Sequence, residues 1–163
     1  MARNYCEAVI RVRPASANEV RGVQMQVLRP HGALPGDRPH PVSWRHLAAE
    51  VDGQVVGAVS VGPARWERAD LTPLPRPHWQ LRSMAVLTAY RGGAGARLLS
   101  AAVATARESG AGALWAAARI EALGLYLRGG WQAVGGPWDK PGIGPHRYVV
   151  LPLRARPPSE PRA

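Results

Sequence analysis

Apolar and polar positions alternate along this chain with two different periods, and the switches between them predict the elements. Ala8 to Arg13 (AVIRVR) alternates with period two and reads as a strand, which Pro14 is expected to end. Ser16 and Glu19 stand at capping-box spacing, and Val20, Val23, Met25, Val27 and Leu28 follow, so a helix is expected there. Arg29 to Ser43 is rich in Pro, Gly and His and reads as loop. His46 to Glu50 and Gln54 to Val61 flank Asp52-Gly53, a hairpin signal because both turn positions tolerate positive φ. Gly62 to His78 holds four prolines and reads as a second loop.

Trp79 to Leu87 (WQLRSMAVL) reads as a buried strand. Ala94 to Ser109 reads as a helix, with Leu98, Leu99, Ala102, Val103 and Ala106 on one face and Gly110 at its end. Ala113 to Ala117 is a short apolar strand, and Ile120 to Arg128 a further helix stopped by Gly129-Gly130. Trp131 to Val134 and Arg147 to Leu153 read as strands around a Gly/Pro loop. The order β-α-β-β-β-α-β-α-β-β predicts the α/β class: a central mixed sheet with helices on both faces. One domain is expected over residues 1–153, with 154–163 a disordered, proline-bearing tail.

Composition narrows the function. Hydrophobic residues make up 46% of 163, enough for one core, and no apolar run approaches a membrane span. The N-terminal stretch lacks a signal-peptide core, and Cys6 is the only cysteine, so a reducing cytoplasmic setting is expected. The net charge is +10, almost all of it from Arg, with Lys140 the only lysine. These arginines are scattered, without a dense basic run or stacking aromatics, which disfavours a nucleic-acid partner. The excess favours anionic ligands over polycationic ones. His31, His40, His46 and His78 show no metal-ligand spacing and Cys6 is isolated, so no metal is expected.

The chemistry concentrates in Tyr90 to Leu99, YRGGAGARLL, between a strand and a helix. A Gly-rich turn lets backbone approach a ligand closely, and the first N–H groups of a helix lack partners. With the helix dipole these donors form an anion site, to which Arg91 and Arg97 add charged donors suited to a pyrophosphate. The loop lacks the Lys-Ser/Thr of a Walker A sequence and the setting of a dinucleotide fingerprint. From the residues alone, a tight strand-to-helix connection without a ligand stays open.

The stretch WQLRSMAVLTAYRGGAGARLL resembles the fourth strand, pyrophosphate loop and following helix of the GNAT acetyltransferase superfamily. ALGLYLRGGWQAVG (Ala122 to Gly135), DKPGIGPHRYVVLPL (Asp139 to Leu153) and VRPASANEV (from Val12) resemble that family's later helix, its closing loop and strand in a bacterial subgroup, and its opening. The family's loop usually reads Arg-Gly-x-Gly-x-Gly. Aligned from Arg91, Ala94 and Ala96 stand at the last two glycines; aligned from the helix, Gly93 and Gly95 fit and the loop is one residue short.

This resemblance implies an N-acetyltransferase that moves an acetyl group from acetyl-CoA, as co-substrate, to a primary amine of a small molecule or peptide. It implies that the strand Met84, Ala85 and Val86 meets the pantetheine arm, with the backbone of Met84 and Val86 pairing to it, where two strands splay at a bulge. Arg91, Gly92, Gly93, Ala94, Gly95, Ala96 and Arg97 would hold the pyrophosphate. Tyr126 would be the general acid, though its helical spacing with Leu123 and Leu127 also fits a core tyrosine. Gln80, Arg82, Arg119 and His146 are the candidate acceptor-side residues. Each also has an ordinary structural reading: polar pairing, a solvated Arg, or a structural His. Glu50, Glu121 and His146 are candidate bases. A second reading is a GNAT-like module that binds acetyl-CoA without turnover, and a third is an RNA- or ribosome-associated acetyltransferase. A homodimer is left open.

Overall fold

The computed structural model describes residues 9–153. Cys6 and the tail expected to be disordered lie outside them. Seven strands and three helices follow in the predicted order: β1 (Arg11–Ala15), α1 (Ala17–Leu28), β2 (Arg45–Val51), β3 (Gln54–Pro63), β4 (His78–Val86), α2 (Ala94–Glu108), β5 (Ala113–Arg119), α3 (Leu123–Arg128), β6 (Gln132–Lys140) and β7 (Gly144–Pro152). The strands form one mixed sheet in the order β1-β2-β3-β4-β5-β7-β6. Only β4 and β5 run parallel, and α2 supplies the crossover that parallel neighbours need.

Side-chain alternation divides the sheet into two faces. Ala48 and Ala58 pack with Val20 and Val23 of α1. Leu47, Ala49, Val59 and Leu81 face the other way, onto Leu98, Leu99 and Ala102 of α2 and Tyr126 of α3. Small residues bring α2 close: a Cβ on Gly57 would stand 3.1 Å from Leu98 Cδ1. Leu98 is fully buried, and cutting it to Ala would cost about 2–5 kcal/mol.

Three boundaries differ from the sequence reading. Pro14 does not end β1 but pairs within it, opposite Leu47. The sheet tolerates this because β1 is an edge strand, where a missing N–H can face solvent. The expected helix Ile120 to Arg128 opens as a 3₁₀ turn, Ile120–Ala122, so α3 proper is six residues long. The expected Gly/Pro loop before Arg147 is largely strand, with β6 bulged between Val134 and Trp138 around Gly135 at φ 70°. Pro137 is tolerated there because β6 is the sheet's other edge.

Candidate active site

The two central strands part company. β4 and β5 pair only from His78–Ala113 to Gln80–Trp115, although β4 continues to Val86 and β5 to Arg119. A wedge therefore opens in the middle of the sheet. On its other side β4 stays paired to β3, but its register slips between Arg82 and Ala85, where Ser83 adopts φ 56°. A serine pays for that left-handed conformation, and here α1 and the following loop hold it: Gln24 Nε2 donates to Ser83 O at 3.2 Å, and His40 Nε2 lies 3.1 Å from Ser83 Oγ.

Beyond the bulge, backbone direction follows from alternation. The Leu87 N–H donates to Val56 O at 2.9 Å, and Ala85 O points at Gly57, both toward β3. Val86, and Met84 before it, therefore turn their backbone groups toward the wedge. Ala85, one of the expected cofactor contacts, instead spends its carbonyl on the β3 side and buries its side chain.

At the α2 end of the wedge lies the Gly-rich turn. Gly93 is the N-cap of α2, no side chain caps it, and the first turn carries no acidic residue. Among the described residues, the N–H groups from Gly92 to Ala96 have no backbone hydrogen-bond partner. Neither Gly92 nor Gly93 needs positive φ, so the glycines there serve close approach rather than an unusual backbone. A Cβ on Gly92 would meet nothing within 4 Å. Ala94 and Gly95 face inward; a Cβ on Gly95 would lie 3.4 Å from Leu125. Arg91 is exposed in the turn. Arg97 donates to Ile10 O at 2.6 Å, and the Ile10 side chain lies close to Gly93.

Through the wedge runs a cleft of about 180 Å³ that brings together Gln80, Arg82, Met84, Arg119, Tyr126 and His146. The residues come from different faces. Arg119 donates to Leu28 O at 3.2 Å, on the α1 face. His146 sits directly opposite Arg119 across β5 and β7, so it shares that face. It lies on a buried strand, not on the loop expected, and stacks on Trp138 with centroids 5.2 Å apart. Its Nδ1 lies 2.8 Å from Gly144 O, an acceptor only, so Nδ1 is the donor there and, in the neutral ring, Nε2 is the nitrogen with the lone pair. Tyr126 is buried on the α2 face, edge-on to Trp131, and burial pushes its phenol pKa well up. Glu50 is held by Arg13 at 2.6 Å at the β1 edge, and Glu121 is exposed beside the cleft.

The cleft also holds residues that sequence reading missed: Arg29, Ser83 and Lys140. Arg29 follows α1 and forks onto Asp37 with two 2.7 Å bonds. Lys140 was visible as the only lysine, in the closing segment; the conformation of Ser83 left no signal, because nothing in its identity announces φ above zero.

Comparison with known proteins decides the family. The profile of the acetyltransferase (GNAT) family matches residues 22–131, two-thirds of the chain. This chain belongs to the GNAT family. It is an acyltransferase with acetyl-CoA as its co-substrate. An uncharacterized N-acetyltransferase of Bacillus subtilis, YitI, is 31% identical over 150 residues, covering 90% of this chain and 98% of the relative. Among solved structures, the putative acetyltransferase yncA of Salmonella typhimurium, with its cofactor acetyl-CoA, superposes with TM-score 0.65 at 18% identity over 96% of this chain and 99% of its own. A GNAT family acetyltransferase of Elizabethkingia anophelis with acetyl-CoA bound gives TM-score 0.63 at 16% identity over 88% and 98%. These structures show the shared GNAT fold. Among the described residues, no helix of this GNAT chain is long and apolar enough to cross a membrane.

Proposed function

We propose that the chain acetylates a primary amine of a small molecule or peptide by direct attack on acetyl-CoA lying in the wedge. The observation that carries this reading is the parting of β4 and β5 beyond Gln80 and Trp115, next to an uncapped helix end. The pantetheine arm completes the interrupted sheet by bonding to the backbone of Met84 and Val86. The pyrophosphate lies on the free N–H groups from Gly92 to Ala96, with Arg91 as the adjacent charge. Arg97, exposed and tied to Ile10 O by one N–H, stands as a second charge beside the turn.

The two faces then divide the proton transfers. On the α1 face, His146 Nε2 takes a proton from the acceptor ammonium, freeing the amine's lone pair. The amine nitrogen attacks the thioester carbon, forming a C–N bond and a tetrahedral intermediate whose oxyanion meets the Val86 N–H. The intermediate collapses: the C–S bond breaks, the thiolate leaves toward the α2 face, and the acylated nitrogen loses its surplus proton to solvent water. There Tyr126 gives it a proton. A raised phenol pKa keeps the proton in place at neutral pH but makes Tyr126 a weak acid, so its gain belongs at the low end of general acid catalysis.

A thiol-release assay over a panel of amines tests this reading, with mass spectrometry of the products. N-acetylated amine in step with free CoA is the expected result. Acetyl-CoA bound but no amine turned over would overturn it and leave a module that only holds the thioester.

A further inference from the structure

The acceptor side of the cleft is a concentration of positive charge without matching negative charge. Arg82 stands on β4, Arg119 ends β5, Lys140 ends β6 and Arg29 follows α1. Of these, only Arg29 is ion-paired among the described residues. Asp37 meets its fork and also accepts the Leu34 N–H at 2.8 Å, which uses most of that carboxylate's capacity. Among the described residues, no carboxylate lies within ion-pair distance of Arg82, Arg119 or Lys140.

Neutral groups hold the two arginines in place instead. Arg82 lies over the Trp44 ring, 5.8 Å from its centroid, and Arg119 hangs on the Leu28 carbonyl. Burial lowers the pKa of all three; Arg29 lowers each further, against an opposing pull from Asp37 on Arg82 and Lys140 and from Glu121 on Arg119. His40, which faces Arg82, is held near 4 by burial first, then by Arg82 and His46, so it stays uncharged at neutral pH. Three partly desolvated cations that repel one another are costly until a counter-ion arrives.

The phosphates of acetyl-CoA are not that counter-ion, because the open end of α2 lies on the opposite face of the sheet. We infer that the Arg82, Arg119 and Lys140 cluster receives an anionic group of the acceptor, a carboxylate or a phosphate, and so selects short amines that carry one. This deepens the acetyl-transfer reading and rests on it. Shortness follows from register: Arg119 and His146 are direct cross-strand partners, whose Cα atoms lie about 5 Å apart. An acceptor that places its anion on Arg119 thus has its amine a few bonds from His146. Amino acids and aminoalkyl phosphates or phosphonates have that spacing; polyamines have neither the anion nor a carboxylate cage to meet them.

The test uses matched acceptors on the full chain: each amino acid beside its carboxamide, and aminoalkylphosphonates beside the corresponding alkylamines. Wild-type kcat/KM should favour the anionic member by about tenfold to a hundredfold, mainly through KM, as for a charge-assisted bond. In Arg82→Gln and in the surface-accessible Lys140→Gln, that preference should fall toward one. A readout independent of turnover accompanies it: calorimetry of N-acetyl amino acids and their amides on the CoA-bound protein. Arg82-dependent binding of the acid without any acetylation would overturn acetyl transfer but support the anion site. Turnover that treats acid and amide alike, or the absence of both binding and preference, would overturn the anion site. Which of the carboxylate and phosphonate series shows the larger preference identifies the anion.

Discussion

The N-termini of α1 and α2 start from the same physics and end differently. Each begins with N–H groups that no helical turn can satisfy. At α1 the chain closes its own end: Ser16 Oγ accepts from the Glu19 N–H at 3.2 Å, and Glu19 accepts from the Ser16 N–H at 2.7 Å. That Glu19 carboxylate lies in the first turn, where the helix dipole favours it. At α2 the cap is Gly93, the first turn is Ala, Gly and Ala, and no acid is present. The difference is not in helix quality but in what each end is left to bind. A helix whose end is filled by its own side chains is structural there; one left open beside a gap in the sheet is the end we propose as the receptor for an anion.

Several substitutions would break or sharpen this contrast. The largest effect lies just behind the open end. Tyr126→Phe keeps the ring against Trp131 and removes only the O–H, so kcat should fall about 100-fold while acetyl-CoA affinity and thermal midpoint hold. Pre-steady-state measurement of the chemical step reads it, and an unchanged chemical rate in a folded variant would return Tyr126 to the core. Closing the open end comes next. Ala96→Glu places a carboxylate on an exposed first-turn position, so acetyl-CoA affinity should drop roughly tenfold in a titration. Stability should rise slightly in the same variant, because the helix gains the acid it lacks. Opening the closed end should do the reverse: Ser16→Ala should cost about 1 kcal/mol in urea unfolding and leave acetyl-CoA affinity untouched.

The smallest effect concerns the loop behind the bulge. The folded pKa of His40 is depressed to about 4 from 6.5, chiefly by burial. As pH falls from about 6.5 toward 4, the unfolded chain takes up a proton that the folded chain refuses, so stability falls across that window. Urea midpoints should decline less steeply below pH 6.5 in His40→Gln than in the wild type.

Much of this contrast was legible in the residues. Ser16 and Glu19 at their spacing announced the closed end, and YRGGAGARLL announced the open one, because capping and glycine act locally. Asp52-Gly53 placed its hairpin for the same reason, with both residues at positive φ. What pairing in space decides was harder to read. Pro14 sits within a strand because β1 is an edge, which depends on where the strand lies in the sheet. Arg97 reaches Ile10, 87 positions away in sequence, and the left-handed Ser83 is held by Gln24 and His40 from α1 and its loop. The cationic cleft was foreshadowed only as a scattered excess of Arg; the sheet gathers Arg82, Arg119 and Lys140 from three separate strands.

The central claim is that one helix end is filled by phosphate and the other is not. Backbone amide chemical shifts, followed during titration with acetyl-CoA and with acetyl-pantetheine, which lacks the pyrophosphate, test it most directly. The account predicts that Met84 and Val86 shift with both ligands, that Gly92 to Ala96 shift only with acetyl-CoA, and that Ala17 to Glu19 shift with neither. Amides of Gly92 to Ala96 that stay still under saturating acetyl-CoA, or that move equally with acetyl-pantetheine, would contradict it.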